Sequence, residues 1–125
     1  MQPVPTTHSF RVRDEEPVVL SDGRKVLVLA LSGRLDGQAQ EECDREFARR
    51  VAEGGACFIL DGHDLDFVSS AGVRCFIKLI KQTRPAGGGV VVCRPQETVR
   101  QLFEIAGLGD LLPVADDLPG AIGHF

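Results

Sequence analysis

The sequence predicts an α/β domain with a mostly parallel sheet, and three observations carry that prediction. Three apolar runs of strand length, "VLVLAL" (26–31), "ACFIL" (56–60) and "VVVC" (90–93), show no polar alternation, as strands covered on both faces do. Each run is followed by a segment whose apolar residues recur at helical spacing, and strands alternating with helices imply parallel neighbours joined by crossovers. At 125 residues the chain is long enough for one core and short for two. The expected architecture is a single domain with a mixed sheet of roughly four to five strands and about four helices packed against it.

Each element follows from local chemistry. Residues 1–7 hold two prolines and few apolar groups, and are expected to form a flexible arm, with the folded domain spanning 8–125. "SFRVR" (9–13) and "PVVL" (17–20) read as short strands, and Asp22-Gly23 is a turn signal leading into the first long run. An antiparallel hairpin is therefore expected before the parallel part. "SGRLDGQAQ" stops that run, and Asp36 is expected to be the N-cap of a helix reaching about Glu53. Within it Ala39, Cys43, Phe47 and Val51 recur every four residues as one apolar stripe, and Gly54-Gly55 ends it. After the second run, Val73, Phe76, Ile77 and Ile80 mark one face of a helix of about three turns, broken by "RPAGGG". Pro95 closes the third strand. Val99, Leu102, Phe103 and Ala106 then share a helix face, with Gly107 where a C-terminal glycine cap belongs. "LLPV" supplies a last short strand, and "DDLPGAIGHF" opens a final helix with proline in its first turn.

Composition narrows the function. The apolar share of 43% and charged share of 26% are ordinary for a globular protein. The net charge is −4, and the 14 Lys and Arg residues lie among acids, as in "EECDREFARR". Nothing there would hold a nucleic-acid backbone or an anionic membrane surface. The first residues lack the basic start and apolar core of a signal peptide, and no apolar run approaches the ~20 residues that span a bilayer. A cytoplasmic protein with no membrane insertion is expected. Cys43, Cys57, Cys75 and Cys93 each sit in an apolar or helical stretch, without C-x-x-C spacing or a nearby histidine. They read as buried reduced thiols, not as zinc ligands or disulfides.

Catalysis finds no support either. A hydrolase serine sits in G-x-S-x-G, whereas the residues two before Ser69 and Ser70 are Phe67 and Val68. Of the histidines, His8 is in the arm, His124 is penultimate, and His63 is expected in a loop too close along the chain to serve as a base. "AGGG" (86–89) precedes a strand and lacks the G-K-[ST] of a phosphate loop. Asp14-Glu15-Glu16 and Asp116-Asp117 read as solvated loops. Asp61, Asp64 and Asp66 misplace the glycine and closing glutamate of a calcium loop. Neither an enzyme, a metal site nor a cofactor is expected.

The stretch that asks for an explanation is "DLDFVSSAGVR" (64–74). A serine hydroxyl capping a helix is worth about 1 kcal/mol, which accounts for one of the two serines. It does not account for Ala71 and Gly72, since glycine early in a helix costs about 1 kcal/mol against alanine. Small side chains there leave backbone bare for another surface to approach. A hydroxyl at such a helix start is open to a kinase, and an added phosphate would meet free N–H groups and the positive end of the helix dipole.

"LDFVSSAGVRCFIKL" resembles the central motif of the STAS family, typified by bacterial anti-sigma factor antagonists. In that motif a buried strand ends in a serine at a helix start, followed by a small residue, glycine and an apolar residue. "VLVLALSGRLDGQAQ" resembles the family's apolar strand, Gly-x-Leu-Asp and first helix, and "LFEIAGLGDLLPV" its later helix, Gly-Leu, leucine pair and closing strand. Together they cover residues 10–120. The resemblance implies that Ser70 is phosphorylated and that Asp36, Ser69, Ser70, Ala71, Gly72 and Arg74 form a partner surface. Many members have aspartate where Ser69 stands. It also implies the partners: an anti-sigma factor serine kinase of histidine-kinase-like ATPase fold, which binds the unphosphorylated antagonist, and a metal-dependent serine/threonine phosphatase that reverses the modification. Two other readings share the fold: a non-switching STAS scaffold or accessory subunit of a lipid-transport or sensory assembly, and a small-molecule-binding α/β module or enzyme.

Overall fold

The computed structural model describes residues 9–125, so the expected arm at 1–7 lies outside the described residues. Strands β1 (Arg11–Asp14) and β2 (Val18–Val19) both pair antiparallel with β3 (Lys25–Leu35). From β3 the sheet continues in parallel through β4 (Cys57–Val68), β5 (Gly89–Cys93) and β6 (Val114–Ala115), giving the order β1-β3-β4-β5-β6 with β2 beside β3. The crossovers are helices α1 (Gln40–Ala52), α2 (Ser70–Thr83) and α3 (Glu97–Ile105), and α4 (Leu118–Ile122) follows β6. The mixed, mostly parallel sheet and its four helices among the described residues are the expected architecture, with β2 as a two-residue sixth strand.

The unbroken apolar runs are explained by the two layers that cover them. On one face Leu29, Leu31, Phe58, Leu60 and Val92 pack against Cys43 and Phe47 of α1, Phe76 and Leu79 of α2, and Val99 and Phe103 of α3. Phe76 is the centre of this layer, its ring 6.3 Å from that of Phe47 and 5.6 Å, edge-on, from that of Phe103. On the other face Val26, Val28, Cys57, Ile59, Val91 and Cys93 pack against Ala121 and Ile122 of α4. Each large side chain so buried contributes about 1.5–3 kcal/mol.

β3 and β4 run well past their apolar runs, to Leu35 and Val68. The second apolar cluster stops at Val28 on β3 and Ile59 on β4. Beyond that point only one face is covered, and in β4 buried residues fall three apart, at Gly62, Leu65 and Val68, so the strand tails read as loops. His63, expected in a loop, therefore lies within β4. The pairing also slips twice: Ala30 faces Asp61 but Ser32 faces Asp64, and Gly33 faces Leu65 but Arg34 faces Phe67. β4 thus carries two bulges against β3.

Three further expectations are corrected. Asp36 is not the N-cap of α1. Ala39 holds that position without a side-chain bond, while Asp36 Oδ1 accepts from the N–H groups of Gln38 and Ala39, both at 3.0 Å. The carboxylate closes the turn before the helix. Ala106 is exposed, because α3 ends at Ile105. Gly107, with φ +72°, reverses the chain there. The N–H of Leu108 donates to Phe103 O at 3.0 Å and that of Gly107 to Glu104 O at 3.1 Å, a glycine-terminated helix end that places Leu108 in the core. Asp14 is exposed, as expected, but lies in no loop: it ends β1, and its carboxylate accepts from Nε and Nη2 of the buried Arg50 at 2.9 and 3.0 Å. Asp116 and Asp117 do lie in an exposed bend, and Asp117 also caps α4, its Oδ1 accepting from the Gly120 N–H at 2.8 Å.

All four cysteines are free and buried. The Cys43 thiol is pushed far up by its hydrogen bond with Cys75 and by burial, and burial pushes Cys93 up to about 11. Such thiols are unreactive at neutral pH. Among the described residues no helix is long and apolar enough to cross a membrane.

Candidate functional site

The two serines stand where β4 hands over to α2, and they divide the work. Ser69 is extended, with φ −88° and ψ 172°, and is the N-cap of α2. Its Oγ accepts from the Gly72 N–H at 3.1 Å, its carbonyl accepts from the Val73 N–H at 3.0 Å, and its own N–H donates to Leu35 O at 2.9 Å. Ser70, the first helical residue, is exposed while Ser69 is half-buried. Helix geometry leaves the N–H groups of Ser70 and Ala71 without intrahelical partners.

Gly72 is buried, and the surface that approaches it is the chain's own. A Cβ at this position would lie 2.5 Å from Leu35 O, 2.8 Å from Leu35 Cγ and 3.0 Å from Val68 Cγ1. This corrects the expectation of an outward-facing bare backbone. Glycine here lets α2 settle against the tip of β3, and so fixes how Ser70 is presented. Ala71 is half-buried, and Arg74 is exposed one turn along from Ser70, a spacing that puts both on one helix face. Asp36, half-buried, directly follows the Leu35 that Ser69 bonds to. The structure therefore brings Asp36, Ser69, Ser70 and Ala71 together at one end of the sheet, flanked by Arg74, with Gly72 beneath them.

Electrostatically this helix start is unlike its neighbours. The first turn of α1 holds Glu41 and Glu42 and that of α3 holds Glu97, but the first turn of α2 holds no acid. A cleft of about 300 Å³, lined by Arg24, Thr83, Arg84 and Phe125 among others, opens at the far end of α2 and is lined by neither serine.

The family model described as the STAS domain matches residues 18–121. The chain belongs to the STAS domain family. This STAS domain is 34% identical over 100 residues to the candidate anti-sigma factor antagonist BtrV of Bordetella bronchiseptica, covering 80% of this chain and 86% of the relative. Its fold superposes on the anti-sigma factor antagonist SpoIIAA in its unphosphorylated form with a TM-score of 0.72 at 23% identity, covering 93% of this chain and 95% of that one. With the Bacillus cell fate determinant SpoIIAA in the phosphorylated form the TM-score is 0.64 at 22% identity, covering 93% and 98%.

Beside the serines the STAS domain carries a feature that sequence reasoning missed. Arg34 and Phe67 are register partners at the tips of β3 and β4, and the guanidinium lies 4.1 Å from the centre of the Phe67 ring. Phe67, Val68, Thr98, Val99 and Leu102 line a groove of about 220 Å³ between β4 and α3. Gln96 holds the start of α3 in place, its Nε2 donating to His63 O at 3.0 Å and to Asp66 Oδ1 at 3.3 Å. The available signal was the exposed position that strand alternation assigns to Phe67 once β4 is extended through Val68.

Proposed function

We propose that this STAS domain is an anti-sigma factor antagonist that works by partner switching in the cytoplasm. Unphosphorylated, it docks on an anti-sigma factor kinase of histidine-kinase-like ATPase fold and so frees the sigma factor. Phosphorylation of Ser70 ends the complex, and a metal-dependent serine/threonine phosphatase restores it. The domain itself catalyses nothing. One observation carries the reading: an exposed Ser70 opens a helix whose first turn is free of acid, while Ser69 takes over the capping.

The physics of a switch fits this geometry. A phosphoserine brings a charge of about −1.5 to −2. At Ser70 it meets the unpaired N–H groups and the positive end of α2, so the fold tolerates it. A partner surface matched to a neutral hydroxyl does not. A loss of ~2.7 kcal/mol in docking is a hundredfold in affinity. Asp36, Ser69, Ala71 and Arg74 surround Ser70 in that docking surface, and Gly72 sets its pose. The neutral cap at Ser69 spares the incoming phosphate the repulsion of an adjacent carboxylate. The name of the Bordetella relative supports the same assignment.

The test is incubation with the kinase and ATP, read by mass spectrometry. One phosphate on Ser70 is expected, and none on Ser70→Ala. Ser70→Asp is expected to bind the kinase at least a hundredfold more weakly; wild-type affinity in that variant would overturn the proposal.

A further inference from the structure

Ser70 and its immediate neighbours offer little to hold a protein with. Ser70, Ala71 and Gly37 are small, and Asp36 is half-buried. A stable protein interface covers about 800 Å² on each partner and draws most of its energy from a few aromatic and arginine anchors. Arg74 is one arginine beside Ser70, and Phe67 with Arg34 supplies an aromatic and a second arginine. Phe67, 36% exposed, is followed directly by Val68 and then by the capping Ser69, so its groove lies close to the serines although neither lines it.

The groove is small, preformed and apolar. Its volume of about 220 Å³ falls below the ~300 Å³ at which small-molecule pockets begin, and suits a single side chain. Val68 and Val99 are buried, Leu102 is half-buried, and Thr98 is exposed at the rim. The bonds from Gln96 to His63 and Asp66 fix the α3 wall relative to β4, so little ordering is needed on binding. Arg34 is already positioned over Phe67. Among the described residues it enters no ion pair, leaving its charge for an incoming carboxylate.

We propose that the Phe67–Leu102 groove is a second docking point for the same anti-sigma partner, receiving one apolar side chain beside an acidic group that meets Arg34. This rests on the partner-switch reading. It adds what that reading lacks: an anchor that holds the partner while Ser70 decides whether the complex survives.

The test is calorimetric titration of the purified anti-sigma kinase from the same genome against wild type, Ser70→Glu, Phe67→Ala, Arg34→Gln and Thr98→Arg. Phe67→Ala and Thr98→Arg are expected to weaken binding about tenfold or more, and Arg34→Gln several-fold. Thr98→Arg fills the groove from an exposed helix position, so it reports even if Phe67→Ala loosens the end of the sheet. Wild-type affinity in Phe67→Ala and Thr98→Arg, with Ser70→Glu still abolishing the complex, would overturn the groove and leave the switch standing. A wild-type protein that does not bind the kinase, or a Ser70→Glu variant that binds like wild type, would bring down both.

Discussion

The first turns of α1 and α2 follow the two long central strands and lie side by side, yet one is acidic and the other is uncharged. At α1 the Asp36 carboxylate closes the preceding turn, and Glu41 and Glu42 stand in the first helical turn. At α2 the cap is a hydroxyl and the first turn holds no acid. An acid near a helix N-terminus stabilises by about 0.3–1 kcal/mol. α1 takes that stabilisation; α2 forgoes it, which on the proposed function leaves the place for a phosphate.

The largest expected effect is at Gly72, which enters α2, and Gly37, which precedes α1, is its control. Gly72→Ala drives a methyl into Leu35 O, and is expected to cost about 2–3 kcal/mol in urea unfolding. Gly37, before α1, has open space around a built Cβ, and Gly37→Ala is expected to stay within about 0.5 kcal/mol. Equal costs would mean that α2 does not seat against β3 as described.

At the far end of α1, Arg50 ties the helix to β1 through Asp14 and to Glu46 by a side-chain bond of 3.0 Å. Arg50→Ala is expected to cost about 2 kcal/mol at neutral pH. The hydrogen bonds from Arg50 hold both Asp14 and Glu46 below the usual carboxylate range. Their folded forms therefore bind protons less readily than the unfolded chain. The stabilisation is complete above the unfolded carboxylate range of about pH 4, and is lost as pH falls through the lower folded values. Acid unfolding followed by circular dichroism should show this slope in wild type and a shallower one in Arg50→Ala.

Smaller effects sharpen the contrast at the α2 cap. Ser69→Ala is expected to cost about 1 kcal/mol. Ser69→Asp makes α2 resemble α1, and should gain about 0.3–1 kcal/mol at low salt, fading as salt is raised. The smallest expected change is for Ser70→Glu, within about 0.5 kcal/mol by thermal unfolding, although docking is lost. A large destabilisation there would show that Ser70 supports the fold and is no place for a switch.

The residues that made the fold legible were those with both faces buried. Val26 to Leu29, Phe58 to Leu60 and Val90 to Cys93 declare their strands because both apolar layers reach them. The strand tails were hidden because α4 covers only the first half of the sheet, so "SGRL" and "DGHDLDFV" look like loops. Asp36 reads from sequence as a helix cap but closes the turn before α1, since the same side chain can do either. At the site, the serine pair and Gly72 were visible in sequence, but the reason for Gly72 was not: its constraint is Leu35, far away along the chain. Arg50, Arg34 and Phe67 stayed hidden for the same reason, as their partners Asp14, Phe67 and Leu102 are defined only by the folded register.

The slips between β3 and β4 have an arithmetic consequence. From Ala30 to Leu35 the chain takes five steps, while its neighbour takes seven from Asp61 to Val68. Each extra residue is taken up in its own bulge, so facing positions keep the same side: Leu65, one residue in surplus, lies in the core opposite Gly33, and Val68, two in surplus, lies in the core opposite Leu35, just before the serines. Deleting one residue at either bulge should therefore straighten the strand there and leave Val68 and the serines where they are.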